Sequence, residues 1–128
     1  MRKRILWLAG LFGLAASVLF FLSAAPPQEG LDPLKVASDT HTLVFENKLV
    51  RVIQAKVPPG SLEPRHRHPH GVTVYLADYT VEAKTLPDGK VTRAERKFGT
   101  VGWSEAVVHE VKNVSSTPSH SIRIELKY

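Results

Sequence analysis

Cysteine is absent from this chain. Its absence excludes disulfides, thiolate metal sites, thiol redox chemistry and a cysteine nucleophile together, so the fold must be held by its own core. No stretch after residue 30 carries apolar residues at helical spacing, and there is no internal repeat. A basic surface suited to nucleic acid is also missing. The formal net charge is +5, but Arg2, Lys3 and Arg4 supply three of the seventeen basic residues, which leaves fourteen against twelve acidic ones. Lys90, Arg93, Arg96 and Lys97 form one loose basic group. They alternate along an expected strand and read as its solvent face, without the aromatic interleaving of a nucleic-acid surface. No nucleic-acid partner is expected.

What is present begins with an export pattern. Met1 to Arg4 is basic, Ile5 to Leu22 is uncharged, and Ser23, Ala24 and Ala25 are small, which is the order of a secretory signal. The apolar run approaches the ~20 residues that span a bilayer, and Pro26 follows the best small-residue site. Residues 1–25 are therefore either a cleaved signal peptide or a retained single-pass anchor, with residues 5–25 the only membrane contact. Both readings leave the N-terminus in the cytoplasm and the rest of the chain exported, periplasmic or extracellular. Residues 26–40 read as a linker or N-terminal arm, with Leu31, Leu34 and Val36 available to lie along the domain.

From His41 onward the pattern is that of strands. Thr42 to Glu46 and Leu49 to Val57 alternate apolar with polar around Asn47-Lys48, the signature of a β-hairpin. Gly71 to Ala77 is rich in β-formers. Tyr79 to Thr85 and Val91 to Phe98 flank Pro87-Asp88-Gly89, which supplies a preset φ and a residue tolerant of positive φ. Short strands follow at 100–104, 107–112 and 121–127. Seven or eight short strands with frequent turns predict an all-β sandwich or barrel, and 128 residues suffice for one domain.

Chemistry concentrates on histidine. His66, His68 and His70 fall within five residues, and a strand puts i and i+2 on one face, so His66 and His68 can address one metal ion. His109, on a separate expected strand, adds a third imidazole from across a barrel. A polar surface loop is the plainer reading of the same residues. Thr73, Tyr75 and Trp103 are candidates to line a pocket. Glu63, Glu105 and Glu110 are carboxylates able to act as acid, base or partner to an imidazole. His41 and His120 lie near strand ends and read as surface residues. Asn113-Val114-Ser115 formally matches a glycosylation acceptor.

Gly60-Ser61-Leu62-Glu63-Pro64-Arg65-His66-Arg67-His68 resembles the opening of the first cupin motif: a glycine, five residues, then HxH. Gly99 to His109, with Asn113 shortly after, resembles the second. The resemblance covers about residues 41–128 and implies a single-domain cupin-like β-barrel, or jelly roll, after the N-terminal apolar helix. In that family the two HxH histidines, a following glutamate and the second-motif histidine bind a divalent metal. The resemblance thus implies His66, His68 and His109 as ligands to Fe, Mn, Zn, Ni or Cu, with His70 a candidate additional ligand. It also implies a homodimer, since cupins commonly pair through their sheets. The departures are specific. Val72 and Thr73 occupy the place of the glutamate, Glu105 stands near the second motif's proline, and the glycine closing the first motif is replaced near Asp78-Tyr79. The expected function is binding of a small molecule, with or without metal. The alternatives are a metal-dependent oxygenase, isomerase or lyase on a small polar substrate, and a structural module.

Overall fold

A computed structural model describes residues 30–128; the expected export segment lies outside the described residues. Among those described, no helix is long and apolar enough to cross a membrane. The described residues open with a short helix, α1 (Pro33–Val36), and continue as nine strands: β1 (His41–Glu46), β2 (Val50–Val57), β3 (Leu62–His68), β4 (Gly71–Tyr75), β5 (Tyr79–Leu86), β6 (Val91–Arg96), β7 (Val101–Ser104), β8 (Val107–Asn113) and β9 (Ser119–Leu126). They form a five-stranded sheet in the order β1-β2-β9-β4-β7 and a four-stranded sheet in the order β3-β8-β5-β6, every pair antiparallel. The strand beyond the expected eight is the His- and Pro-rich segment itself, β3.

Local chemistry explains the turns. Asn47 Oδ1 accepts from the N–H groups of Leu49 and Val50 at 2.8 and 2.9 Å, closing the β1-β2 hairpin. Gly89 takes a φ of +70° in the turn between β5 and β6. The arm is docked: Asp32 caps α1 by accepting from Leu34 N–H and binds both of its oxygens to Arg51 at 3.1 Å. Pro33 and Ala37, rather than Leu31, Leu34 and Val36, are the residues it buries.

The two faces of the larger sheet are inverted relative to ordinary patterning. Directly opposed residues share a face, and one row across all five strands reads Phe45, Val52, Ile124, Val72 and Trp103. That row lies outside, with Phe45 and Trp103 more than half exposed. The inner rows read Leu43, Ile53, Arg123, Thr73, Gly102 and Arg51, Glu125, Gly71, Ser104. Among the described residues the buried apolar side chains are Pro33, Ala37, Ile53, Val57 and Val81, whereas His41, Glu63, His66, His68, Asn113, Ser119, Arg123 and Glu125 are buried polar ones. The barrel interior is therefore mostly a polar lining, and each buried group needs a partner.

Asn113 shows how strictly that holds. It is fully buried; its amide donates to the carbonyls of Val57 and Thr117, and its Oδ1 accepts from Ser115 N–H. The side chain of the formal glycosylation acceptor is thus committed to the fold and out of reach of a glycosylating enzyme. Asn113→Ala removes both donors and the acceptor, leaving three backbone groups short. We expect it to lower stability by about 2–3 kcal/mol, as a shifted urea midpoint with an unchanged slope.

Candidate metal and ligand site

A bulge in β3 creates the site. Glu63 pairs with Val111 and His66 with His109, so β3 spends one more residue than β8 between these points. Pro64, which has no N–H to give to a ladder, sits in this stretch. The extra residue reverses the alternation, and Glu63, His66 and His68 all turn inward and are buried. His109, directly opposite His66, brings its Nε2 to 3.0 Å from that of His66.

The fourth imidazole comes from the other sheet. His41, read from its position near a strand end as a surface residue, is only 6% exposed, and its ring centroid lies 5.3 Å from that of His66 and 5.9 Å from that of His68. Its place at the head of β1 is set by its N–H, which donates to Ala37 O beneath the docked arm. Ligand nitrogens of His41, His66 and His68 lie within 4.8 Å of one another. His70 stands apart: after Pro69 its ring stacks on Trp103 at 5.8 Å and faces Tyr128 at 6.3 Å. The extra imidazole beside the HxH pair is His41 and not His70. His120 is part-exposed and meets Gln54.

The far nitrogens of the central pair are already engaged. His66 Nδ1–H donates to Pro64 O at 2.7 Å, and His68 Nδ1–H donates to Glu125 Oε1 at 2.6 Å. Each bond fixes the tautomer that leaves Nε2 as a lone-pair donor, the arrangement that orients imidazole ligands. Glu125 is 1% exposed and holds Arg51 Nε with its other oxygen at 2.6 Å. Burial, then His66, pushes the His41 pKa down to about 4. Burial also lowers His66, lowers His109 with help from His66, and lowers His68 with help from Arg123. The mutually close set is His41, His66 and His68, and His109 joins it only through Nε2 of His66; neutral imidazoles of this kind suit a borderline divalent ion, and 3.0 Å is the separation of two nitrogens each ~2.1 Å from one ion at a right angle. When bound, such an ion supplies Lewis acidity to the cavity.

The histidines open on a cavity of about 470 Å³, a volume that suits a small molecule. Thr73, Tyr75 and Trp103 border it, with Trp103 mostly exposed at the rim and its Nε1–H donating to Glu105. Arg96 corrects its assignment to the solvent face: its guanidinium lies 5.0 Å above the Tyr75 ring at the cavity wall, because it opposes the inward Tyr79. Arg93, three residues before, does face out and pairs with Glu82. Glu63 lines the cavity too, 3.4 Å from His41 Nδ1 and hydrogen-bonded by the Thr40 hydroxyl, and burial pushes its carboxyl up to about 7. Glu110 lies 3.8 Å from Lys84 and outside the cavity lining. His41, Glu125 and Arg123 escaped the sequence reading. The available signal was β9 itself, where Ser119, Ser121, Arg123 and Glu125 alternate with Ile122, Ile124 and Leu126.

Solved structures with this fold come from distant organisms. A cupin domain from Bordetella pertussis Tohama I is 29% identical over 69% of this chain and 92% of its own, with a TM-score of 0.63. A double-stranded β-helix protein from Klebsiella pneumoniae is 22% identical, covering 67% and 74%, at a TM-score of 0.54. An RmlC-like cupin from Methanocaldococcus jannaschii is 12% identical, covering 67% and 77%, also at 0.54. No protein-family model and no curated protein matches the sequence.

Buried neutral imidazoles make acid sensitivity a signature of the metal-free site. Their folded-state pKa values lie below the ordinary 6.5, so the unfolded chain takes up protons first as pH falls. The imidazoles leave stability unchanged above pH 6.5 and lower it on descending from there through their folded values, while the protonation of Glu63, raised to about 7, offsets the loss from one of them. The slope is roughly 1.4 kcal/mol per pH unit for each imidazole kept neutral. Thermal melts of EDTA-treated protein between pH 7.5 and 4.5 should show this fall, and a His41→Gln variant should show a shallower one.

Proposed function

We propose that this chain, a single-domain cupin by fold, is an exported protein that binds a small molecule beside a divalent metal held by His66, His68 and His109, with His41 completing the set. The observation that carries the reading is convergence. Imidazoles from β1, β3 and β8 meet over one cavity, and the two from β3 have their outer nitrogens fixed by Pro64 O and Glu125. His41 supplies a donor from the opposite sheet in a chain that lacks the cupin glutamate. The basic, apolar, small-residue order of Met1 to Ala25 supports export. Fe, Mn, Zn, Ni and Cu all accept imidazole.

A metal-dependent enzyme, whether oxygenase, isomerase or lyase, is the second reading, and Glu63 favours it. A buried carboxyl with a pKa of about 7 facing the same cavity is suited to move a proton near neutral pH. Elemental analysis of protein purified without a histidine tag tests the metal directly. We expect about one divalent ion per chain, lost from His66→Ala and His109→Ala and bound on the order of tenfold or more weakly by His41→Ala. Metal-free protein that takes up none of the five ions would sink both metal readings.

The apolar outer face of the larger sheet supports a homodimer. Val101 is 63% exposed beside the row from Phe45 to Trp103, whereas the outer face of the smaller sheet carries Glu82, Lys84, Arg93, Glu95 and Lys112. Light scattering should give twice the chain mass for the wild type and the monomer mass for Val101→Glu, a substitution at a position too exposed to unfold the barrel.

A further inference from the structure

Two arginines point into the barrel from neighbouring strands of the larger sheet, and they differ in one respect. Arg51 on β2 is neutralised by Glu125 and Asp32. Arg123 on β9, 9% exposed, forms no ion pair with any described residue. Its Nη1 donates to Thr73 Oγ1 at 3.1 Å and Ser104 Oγ at 2.8 Å, and its Nη2 donates to Pro69 O at 2.6 Å. A guanidinium has five N–H groups. Two are therefore left over, one on Nη2 and the one on Nε, which is buried without a partner. A buried cation with no ion-pair contact, its neighbouring carboxylate Glu125 already spent on His68 and Arg51, and with an unmet donor carries a desolvation cost that an arriving acceptor would offset.

The surroundings narrow what that acceptor is. Arg123 lines the same cavity as the histidines. It lies two residues from Glu125 on the inward face of β9, and Glu125 holds His68. The carboxylates of the cavity lining are elsewhere engaged: Glu63 receives the Thr40 hydroxyl beside His41, and Glu105 holds Trp103 at the rim. Arg96 adds a second cation across the wall. Nε–H and Nη2–H share one flat edge of a guanidinium, which matches the two oxygens of a carboxylate.

We propose that Arg123 is the anchor for a small carboxylate ligand, so that the cavity selects organic acids. The proposal rests on the reading of the cavity as a ligand pocket but does not require the metal. A molecule of a few carbons would set its carboxylate on Arg123 and direct the rest of its length toward the histidines.

The test uses the full chain in metal-free and Zn-loaded forms, titrated calorimetrically with malonate, its neutral analogue malonamide, and inorganic phosphate. Malonate is expected to bind both forms, and on the order of tenfold or more tightly than malonamide. Arg123→Gln should lose that preference while its zinc affinity stays within about threefold of the wild type. Arg123→Lys, which keeps the charge without the fork, should bind malonate weakly. The Arg123 Nε–H resonance of wild-type protein, assigned through its loss in Arg123→Lys, should shift on adding malonate, so the proposal remains testable even if the Gln variant fails to fold. Equal binding of malonate and malonamide, undiminished malonate binding by Arg123→Gln, tighter binding of phosphate, or no binding of any probe would each overturn it. Failure to take up zinc with malonate selectivity intact would remove the metal and leave the acid anchor standing.

Discussion

Glu125 is the interaction on which the barrel interior depends. A carboxylate that is 1% exposed is costly unless its oxygens are taken, and both are: one by His68, the other by Arg51. Through Arg51 the link continues to Asp32, so a candidate ligand imidazole, the middle of the larger sheet and the docked N-terminal arm share one chain of charge-assisted bonds. Removing the carboxylate would leave Arg51 with Asp32 alone and free the ring of His68 at once. Pairs of this kind contribute less to net stability than to geometry, and here the geometry set is the orientation of a candidate ligand.

The same economy recurs around the site. His66 uses the carbonyl of Pro64, the residue whose missing N–H accompanies the bulge that turned His66 inward. His41 is aimed by the N–H bond it makes beneath the arm, and Glu63 sits where it can respond to His41 through Thr40. Each side chain of the cluster is held by the local irregularity that placed it. The cluster is therefore preorganised by backbone rather than by surrounding apolar bulk, consistent with a core of so few buried apolar residues.

Much of this was legible in the residues. The hairpins around Asn47-Lys48 and Pro87-Asp88-Gly89, and the strand succession after them, follow from alternation and turn chemistry. The likeness of the segments around His66 and around His109 to two cupin motifs pointed to the fold that the solved structures share. Three things were hidden. His41 is a lone histidine with no spacing partner, and only the sheet-to-sheet fold brings it to His66. Arg96 was assigned by alternation to the solvent face, although its pairing with Tyr79 turns it inward. The inward role of Arg123 and Glu125 was masked because alternation in β9 reads most simply with the isoleucines inside, whereas this barrel keeps them outside.

That inversion bears on how the last strand finds its place. Sliding β9 by one residue would carry Ile122, Ile124 and Leu126 into the interior, and burial of each is worth about 1.5–3 kcal/mol. Apolar attraction alone therefore pulls toward the wrong pairing. What opposes it is polar and steric: the slipped strand would forfeit Arg51 and His68 as partners of Glu125, and it would disturb the fit at Gly71. There a Cβ would already stand 2.2 Å from Ile124 O, so the two backbones meet only because that position has no side chain. The charge network and one glycine thus act as the alignment key of the sheet, and damage to either would be felt first as a chain that mispairs and sticks to itself.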